Sequence, residues 1–305
     1  MRDSRVDLFT PFVPGIVATT RLRGGSKKGV YRLTLDSGAT LIAYRWDPEE
    51  DYWPTADAPG DGPFAHASAL DLFLAAHDRL TALGVRCPRL LDVFPDAGLA
   101  LVEDLQGGTL EALMEADPAG AEPVLARLRE SLVKLHADRR PEPGKLTQPT
   151  ALSCPEIVLG RALGDLSEAA SRDPRMRAAH DSLRARLHTL TAAVAPRAGH
   201  RLIHGELGPD HVLLDSEGEP ALIDIEGLMY FDVEWEHVFL RLRFGDRYGA
   251  LEVEGLDVER MELYTLAMRL SLVAGPLRLL DGDFPDREVM KGIAEHNLRE
   301  ALRWA

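Results

Sequence analysis

The chain has 305 residues, of which 45% are apolar and 28% are charged, and its net charge is −14 with a pI of about 5.2. This length is enough for one large or two modest domains with a sizeable core, and the composition excludes a disordered chain. The negative charge argues against a protein that binds nucleic acid through phosphate contacts.

The sequence carries neither a predicted signal peptide nor a predicted membrane span. The first twenty residues lack a long apolar core and are interrupted by Pro11 and Pro14. No later segment approaches the roughly 18 consecutive apolar residues of a spanning helix. Cys87 and Cys154 belong to no motif, which is typical of reduced, buried thiols. We therefore expect a cytoplasmic protein that contacts no membrane.

Three short segments near the N-terminus predict a small antiparallel sheet. Strands are expected at Val17–Leu22, Val30–Leu35 and Thr40–Trp46, because apolar and polar residues alternate there between turn formers. A helix is then predicted from about Phe64 to Leu83, where apolar side chains recur at helical spacing.

The first predicted turn is rich in glycine and lysine. It contains Gly24, Gly25, Ser26 and Lys27, and Lys28 follows directly. Backbone N–H groups of such a turn can approach phosphate oxygens closely, with a lysine nearby to supply charge. The turn does not match the Walker pattern, and an ordinary glycine hairpin is the alternative interpretation.

The middle of the chain adds one more strand and then becomes helical. Residues 99–105 predict a buried strand that ends in acidic residues. Beyond Thr109 the apolar residues keep helical spacing, most clearly at 124–135, 176–194, 261–280 and 287–304. The sequence therefore predicts an α+β protein with a small sheet followed by a larger helical part.

The most informative segment is residues 201–226, RLIHGELGPDHVLLDSEGEPALIDIE. It reads as a short strand, a polar loop and a hairpin whose second strand ends in Asp224. This arrangement brings Glu206, His211 and Asp224 to one end of a small sheet. Polar groups between buried strands are costly unless they bind a ligand or one another. The segment therefore predicts either a binding site or a self-satisfied polar loop.

This segment resembles the aminoglycoside phosphotransferase family, which shares a bilobal protein-kinase-like fold with choline kinases and other small-molecule kinases. The family pattern is His-Gly-Asp-Leu, an Asn five residues after the Asp, and a later Ile-Asp-Phe/Trp-Glu. Here His204-Gly205-Glu206-Leu207, His211 and Ile223-Asp224-Ile225-Glu226 have the matching spacing. The resemblance continues through Asp232, Trp235 and Glu236, a part that is mainly structural in the family.

The resemblance implies catalytic and metal-binding roles for three residues. Glu206 would meet the substrate hydroxyl, where the family has Asp. His211, in place of the family's Asn, and Asp224 would hold Mg²⁺, with Mn²⁺ as the alternative ion. The Glu at position 206 places its carboxylate farther from the backbone. Imidazole is a poorer ligand for Mg²⁺ than for softer transition metals, so Asp210 is a candidate substitute oxygen ligand.

The resemblance also implies a nucleotide-binding lobe at residues 1–105 and a catalytic, substrate-binding lobe at 106–305. ATP would contact the glycine turn and Arg45, which stands where the family has a third-strand lysine. The partner carboxylate on the following helix would be Asp71, with Asp78 as the alternative. Glu103 and Leu105 would form the hinge that receives adenine.

The implied function is transfer of the ATP γ-phosphate to a hydroxyl of a small molecule such as an aminoglycoside, amino alcohol or sugar. The acidic chain would suit a cationic acceptor, and the oligomeric state is not predicted. The replacements at positions 206 and 211 leave open a pseudokinase that binds nucleotide without turnover. A transition-metal hydrolase using His204, Glu206, His211 and Asp224 is the third alternative, although the downstream cysteine pair of zinc deaminases is missing.

Overall fold

The computed structural model describes residues 6–22, 25–53, 63–64 and 68–305. Within these ranges no helix is long and apolar enough to cross a bilayer. The helices and strands are, in chain order, α1 (Val6–Phe9), β1 (Ile16–Arg21), β2 (Gly29–Leu35), β3 (Thr40–Arg45), α2 (Leu70–Leu83), β4 (Leu90–Phe94), β5 (Leu99–Glu103), α3 (Leu110–Ala116), α4 (Ala121–Ala137), β6 (Arg139–Arg140), β7 (Gly144–Lys145), α5 (Cys154–Arg172), α6 (Pro174–Ala193), β8 (His200–Ile203), β9 (Val212–Leu214), β10 (Pro220–Leu222), β11 (Met229–Phe231), α7 (Val233–Phe244), α8 (Val258–Leu279) and α9 (Arg287–Leu302).

The chain divides into two compact units. Unit 1 comprises Met1–Trp53, His66–Arg127 and Asp210–Glu226, and unit 2 comprises Pro54–Ala65, Leu128–Pro209 and Gly227–Ala305. Helix α4 contributes residues to both units. The predicted boundary between residues 105 and 106 separates a nucleotide-binding from a catalytic lobe, and this functional division stays a prediction.

Unit 1 contains an antiparallel five-stranded sheet in the order β1-β2-β3-β5-β4. The β2–β3 turn ends at Gly38, whose φ of 83° lies in the left-handed region that glycine adopts without strain. Alternate residues of β2, such as Tyr31 and Leu33, are buried in a core that α1 also covers. Helix α2 ends at Gly84, a left-handed C-cap whose N–H donates to the Leu80 and Thr81 carbonyls.

Unit 2 is mainly helical and holds the larger core. Helices α5 to α9 pack around Leu166, Leu187, Trp235, Tyr264 and their buried neighbours. A short antiparallel sheet in the order β6-β8-β11-β7 supports these helices. In both units, the mixture of antiparallel sheets and helices confirms the predicted α+β class.

One predicted boundary was wrong. The helix expected from Phe64 begins at Leu70, while Phe64 belongs to unit 2 and packs against Phe231 and Trp235 at ring-centroid distances of 5.4 and 4.7 Å. The apolar residues that predicted the helix begin at Ala69, so only the extension back to Phe64 was wrong, and Phe64 instead makes a tertiary contact.

Candidate active site

The β9–β10 hairpin of unit 1 positions two of the predicted site residues. Val212 pairs with Leu222, and the Ile223 N–H donates to the His211 carbonyl at 3.0 Å. At the closed end, the Asp215 carboxylate accepts the N–H groups of Glu217 and Glu219, both at 2.9 Å. His211 and Asp224 therefore flank the open end of a well-defined hairpin.

His211 lies between two carboxylates. Its Nε2 is 3.9 Å from Asp224 Oδ2 and 3.9 Å from Asp210 Oδ2. Asp224 has a φ of 57°, and no other non-glycine residue in the described ranges has a positive φ. This conformation costs on the order of 1 kcal/mol for a non-glycine residue, and such strain is typical of functional sites. The Asp224 side chain remains 45% exposed, so a ligand can reach it.

Lys28 reaches the same carboxylate from the start of the sheet. Its Nζ donates to Asp224 Oδ1 at 2.8 Å and makes a shorter contact with Glu226 Oε1. The side chain is only 7% exposed, and the ammonium lies 5.3 Å from the Tyr44 ring centroid and 6.0 Å from that of Trp46. Burial opposes the charge, but Asp224 and Glu226 outweigh it and raise the pKa of Lys28.

The glycine turn lies just before Lys28. Gly24 falls outside the described residues, and Gly25 has a φ of 68°. A Cβ at Gly25 would lie 2.7 Å from the Lys28 carbonyl, so only glycine fits there. Ser26 accepts the Trp53 indole N–H at 2.9 Å, and Lys27 Nζ lies 5.5 Å from the Trp53 ring centroid. Lys27 and Lys28 are thus adjacent in sequence but meet different groups.

Arg45 is engaged at the end of β3. Its guanidinium pairs with Asp47 at 2.5 Å and with Glu50 at 3.4 Å. Buried Glu50 also accepts the Tyr31 hydroxyl at 2.5 Å and pairs with Arg21 at 2.8 Å. The structure therefore places Arg45 in a local network with its own sequence neighbours.

The other predicted nucleotide contacts are spread along unit 1. Asp71 is exposed in the first turn of α2. Glu103 ends β5 and pairs with Arg89 and Arg86 at 3.3 and 3.8 Å, whereas Leu105 is buried. In the part of the chain that the structure describes, neither Asp71 nor Glu103 forms an ion pair with Arg45.

In unit 2, Glu206 lies on the loop that follows β8. Glu206 is exposed, while His204 and Gly205 are buried. The Glu236 carboxylate on α7 holds this loop by accepting the N–H groups of His204 and Gly205 at 2.6 and 3.0 Å. Burial raises the pKa of Glu236 to about 7, even though these two hydrogen bonds lower it. Gly205 has a φ of 89°, so the loop needs glycine at this position.

A second buried network braces α7 in unit 2. Asp232 accepts from Arg260 at 2.8 Å and from the Tyr264 hydroxyl at 2.6 Å, and His200 Nδ1 lies 3.3 Å away. Burial raises the pKa of Asp232, but the hydrogen bonds from His200, Tyr264 and Arg260 lower it to about 2. Cys154 and His200 lie close enough to Asp232 to share a metal ion. Arg260 and Tyr264 both donate to Oδ2 of that carboxylate, whereas Oδ1 faces His200. The resemblance predicts a structural role for Asp232, and this stays a prediction.

The donor types beside the hairpin, a carboxylate and an imidazole, suit a divalent cation. Asp224 Oδ2 and His211 Nε2 are 3.9 Å apart, which lies between the roughly 3.0 Å of adjacent ligands and the roughly 4.2 Å of opposite ligands on an octahedral ion with metal–ligand distances of about 2.1 Å. Glu226 Oε2 is buried and accepts no hydrogen bond from the described residues. Asp224 and His211 would hold such an ion. This mixed oxygen and nitrogen set suits Mn²⁺ better than Mg²⁺.

Sequence reasoning left open whether Lys27 or Lys28 lies beside the phosphates, and it gave no role to two further residues at this site. Glu226 entered only as part of a motif, and Tyr44 only as part of the predicted third strand. The sequence offered one indication, since Glu226 lies two positions after Asp224 in a segment rich in acids. Lys28 and Asp224 are 196 positions apart, so their contact depends on the tertiary fold.

Comparison with known proteins agrees with these observations. A sequence model of the phosphotransferase enzyme family matches residues 14–262. No curated protein matches the chain in sequence.

Several solved structures share the fold at low sequence identity. A thermostable mutant of aminoglycoside phosphotransferase APH(4)-Ia, in ternary complex with ADP and hygromycin B, is 17% identical with a TM-score of 0.64, covering 96% of this chain and 97% of that one. Choline kinase LicA from Streptococcus pneumoniae is 13% identical with a TM-score of 0.64, covering 98% and 96%. A putative fructosamine-3-kinase from Thermobifida fusca is 21% identical with a TM-score of 0.54, covering 94% of each chain.

These likenesses confirm the predicted protein-kinase-like fold. The family match covers the glycine turn, the β9–β10 hairpin and Asp232, and it spans most of the chain. The chain therefore belongs to the phosphotransferase enzyme family.

Proposed function

We propose that this protein is an ATP-dependent phosphotransferase that moves the γ-phosphate to a hydroxyl group of a small molecule. The observation that carries the proposal is the charged cluster at the hairpin, where Asp224 is accessible, strained in backbone and flanked by Lys28 and His211. Phosphoryl transfer asks a protein mainly for positioning and charge neutralisation, which such a cluster provides.

The proposed nucleotide site lies in the N-terminal lobe, residues 1–105. Gly24, Gly25 and Ser26 would present backbone N–H groups to the phosphates, with Lys27 or Arg45 as cations. The hinge at Glu103 and Leu105 would receive adenine, and Asp71 would be the helix carboxylate. Family membership and the complexes of structural neighbours with ADP and AMP-PNP support ATP as the donor.

The proposed chemistry belongs to the C-terminal lobe, residues 106–305. Glu206 would accept the proton of the acceptor hydroxyl as the phosphate is transferred, and the loop clamp by Glu236 would fix its backbone. Asp224 and His211 would hold Mg²⁺ or Mn²⁺. When bound, this ion would neutralise charge on the phosphates. The negative net charge supports a cationic acceptor such as an aminoglycoside or amino alcohol, with sugars as the other class.

A pseudokinase that binds nucleotide without turnover is the second candidate. The favouring observation is that Lys28 already neutralises Asp224 and Glu226, so the carboxylates can be satisfied without a metal ion. The hydrolase alternative has less support, because the His204 side chain that it needs as a ligand is only 1% exposed.

The experiment that tests the proposal is Glu206→Gln in a phosphate-transfer assay with a broad panel of amino alcohols, aminoglycosides and sugars. Loss of a general base costs about 100-fold or more in turnover, and we expect this loss with ATP affinity unchanged. Glu217→Gln is the matched control, since Glu217 is an exposed turn residue with no proposed role. Equal phosphate transfer by wild type and Glu206→Gln would show that Glu206 is not the base.

A further inference from the structure

The cations considered for the phosphates are Lys27, Lys28 and Arg45, and in the contacts of the described residues Lys28 is the one that meets the hairpin carboxylates. Lys28 contacts Asp224 and Glu226, whereas Arg45 contacts Asp47 and Glu50. We propose that Lys28, held by Glu226 and the Tyr44 ring, is the cation that binds the nucleotide phosphates, in place of Arg45. This inference rests on the proposed function and assigns one of its central contacts to a different residue.

The register of the sheet explains how Lys28 reaches this place. Gly29 opposes Arg45, and Val30 opposes Tyr44, so Lys28 lies just beyond the paired end of β2 and β3. The side chain extends under the Tyr44 and Trp46 rings to the carboxylates. An ammonium over two aromatic faces keeps its charge in a buried setting, and the lysine is therefore fixed rather than solvated.

The side of β3 that faces helix α2 carries an aromatic ring instead of a cation. Tyr44 is buried and meets Phe73 on α2 edge to face, with a centroid distance of 5.5 Å and an interplanar angle of 82°. This buried ring pair joins β3 to α2. Asp71 and Asp78, the acidic residues of α2, are both exposed. The helix therefore offers no buried carboxylate to a β3 cation, and Lys28 with Glu226 supplies the ion pair instead.

Arg45 is poorly placed to move toward a nucleotide. Its guanidinium already bridges Asp47 and Glu50, and Glu50 is 1% exposed with Tyr31 and Arg21 as further partners. Withdrawing Arg45 would weaken a buried network around that carboxylate, and buried charges are costly to leave unpaired. Lys28 needs no such rearrangement.

Lys28 has one more hydrogen-bond donor than its two carboxylate partners use, and this donor is available to a phosphate oxygen. An ammonium has three N–H donors, and Asp224 and Glu226 take one each. The third can meet a phosphate oxygen, while Glu226 keeps the ammonium in place. Since the Asp224 side chain is 45% exposed and that of Glu226 is 2% exposed, Glu226 is the permanent anchor and Asp224 the partner that a ligand can share.

The test is calorimetric titration of ADP, with and without Mg²⁺, into wild type, Lys28→Met and Arg45→Met. We expect Lys28→Met to weaken ADP binding by about 10-fold or more, the scale of one charge-assisted hydrogen bond, and Arg45→Met to change it less than about 3-fold. Lys291→Met is the matched control, because it removes a lysine from an exposed pair on α9. ADP binding without Mg²⁺ reports the lysine contact separately from any metal contact.

Lys28→Met alone leaves Glu226 as an unpaired buried carboxylate, which can destabilise the fold. The double variant Lys28→Met/Glu226→Gln removes both charges and is expected to keep the melting temperature of wild type while losing the same ADP affinity. The inference would be overturned if the double variant bound ADP as tightly as wild type. It would also be overturned if Arg45→Met lost more ADP affinity than Lys28→Met. Failure of wild type to bind any nucleotide would instead contradict the proposed function.

Discussion

At the scale of single residues, we predict that His211 sets the metal preference of the proposed site. Its Nε2 faces Asp224 Oδ2 across 3.9 Å, where an asparagine oxygen would give a harder donor. We expect wild type to bind Mn²⁺ more tightly than Mg²⁺. His211→Asn should shift the ratio of Mg²⁺ to Mn²⁺ affinity toward Mg²⁺ by about 10-fold or more. Substitutions of residues around a metal ion typically change metal affinity by this factor. Calorimetric titration of each ion in the presence of ADP measures both affinities.

The control for this prediction is His188→Asn, which removes an exposed histidine from α6. It should leave both metal affinities unchanged. If His211→Asn also leaves the ratio of Mn²⁺ to Mg²⁺ affinity unchanged, His211 is not a ligand. Asp210, whose Oδ2 lies 3.9 Å from His211 Nε2, would then be the better candidate.

Residue identities near the hairpin were predictable because they belong to one local pattern. Glu206, His211 and Asp224 came from a single segment, and the structure places His211 and Asp224 together. Lys28 was not predictable, since two neighbouring lysines look alike in sequence. Only the pairing of β2 with β3 decides that Lys28 meets Asp224 while Lys27 meets Trp53.

At the scale of elements, helix α7 carries an acid-sensitive contact in unit 2. His237 is buried on this helix, and its Nδ1 lies 3.1 Å from the Tyr248 hydroxyl. Burial, with smaller effects of Arg201 and Arg241, lowers the pKa of His237 from 6.5 to about 4. Between these two pH values the unfolded chain binds a proton that the folded chain does not. Stability is therefore lost as pH falls below about 6.5.

This pH dependence predicts how His237→Asn behaves. The variant lacks the titrating group, so its free energy of unfolding should approach that of wild type as pH falls from 6.5 to 4. The difference should shrink by roughly 3 kcal/mol at most. Chemical denaturation at several pH values measures it. A difference that stays constant over this range would show that His237 is protonated equally in both states.

Glu236, on the same helix, acts in the opposite direction. Its pKa is raised from 4.5 to about 7 in the folded protein. Its stabilising contribution is therefore present below about pH 4.5 and is lost as pH rises through about 7. Comparing wild type with His237→Asn cancels this contribution, because both proteins keep Glu236.

The elements also show what sequence patterns can and cannot locate. The β9–β10 hairpin was predicted because turn formers separate two apolar runs. The predicted start of α2 was wrong, because the apolar stripe begins only at Ala69 and Phe64 packs against Phe231 and Trp235 instead. The stripe located the helix, but it did not fix where the helix begins.

At the scale of the whole molecule, the α+β class and the protein-kinase-like fold followed from the sequence, since both rest on element types and one strong motif. The acceptor did not follow, because the helices of unit 2 show only core periodicity. The net charge of −14 favours a cationic acceptor. This remains a prediction, and it rests on the electrostatic field of the whole chain.

The central claim is that the chain binds ATP with a divalent cation through Asp224. Its most direct measurement is calorimetric titration of ATP with Mg²⁺ or Mn²⁺, followed by thermal unfolding at saturating ligand. Ligand at about 100 times its Kd stabilises the folded state by about 2.7 kcal/mol, so the melting temperature should rise by roughly 5 °C or more.

Asp224→Ala should lose the metal-dependent part of this binding, whereas Asp181→Ala, at a carboxylate that is 98% exposed, should behave as wild type. The account predicts binding heat and a shift in wild type that Asp224→Ala reduces. No heat and no shift at millimolar ATP with either ion would contradict it, for the kinase and for the nucleotide-binding pseudokinase alike.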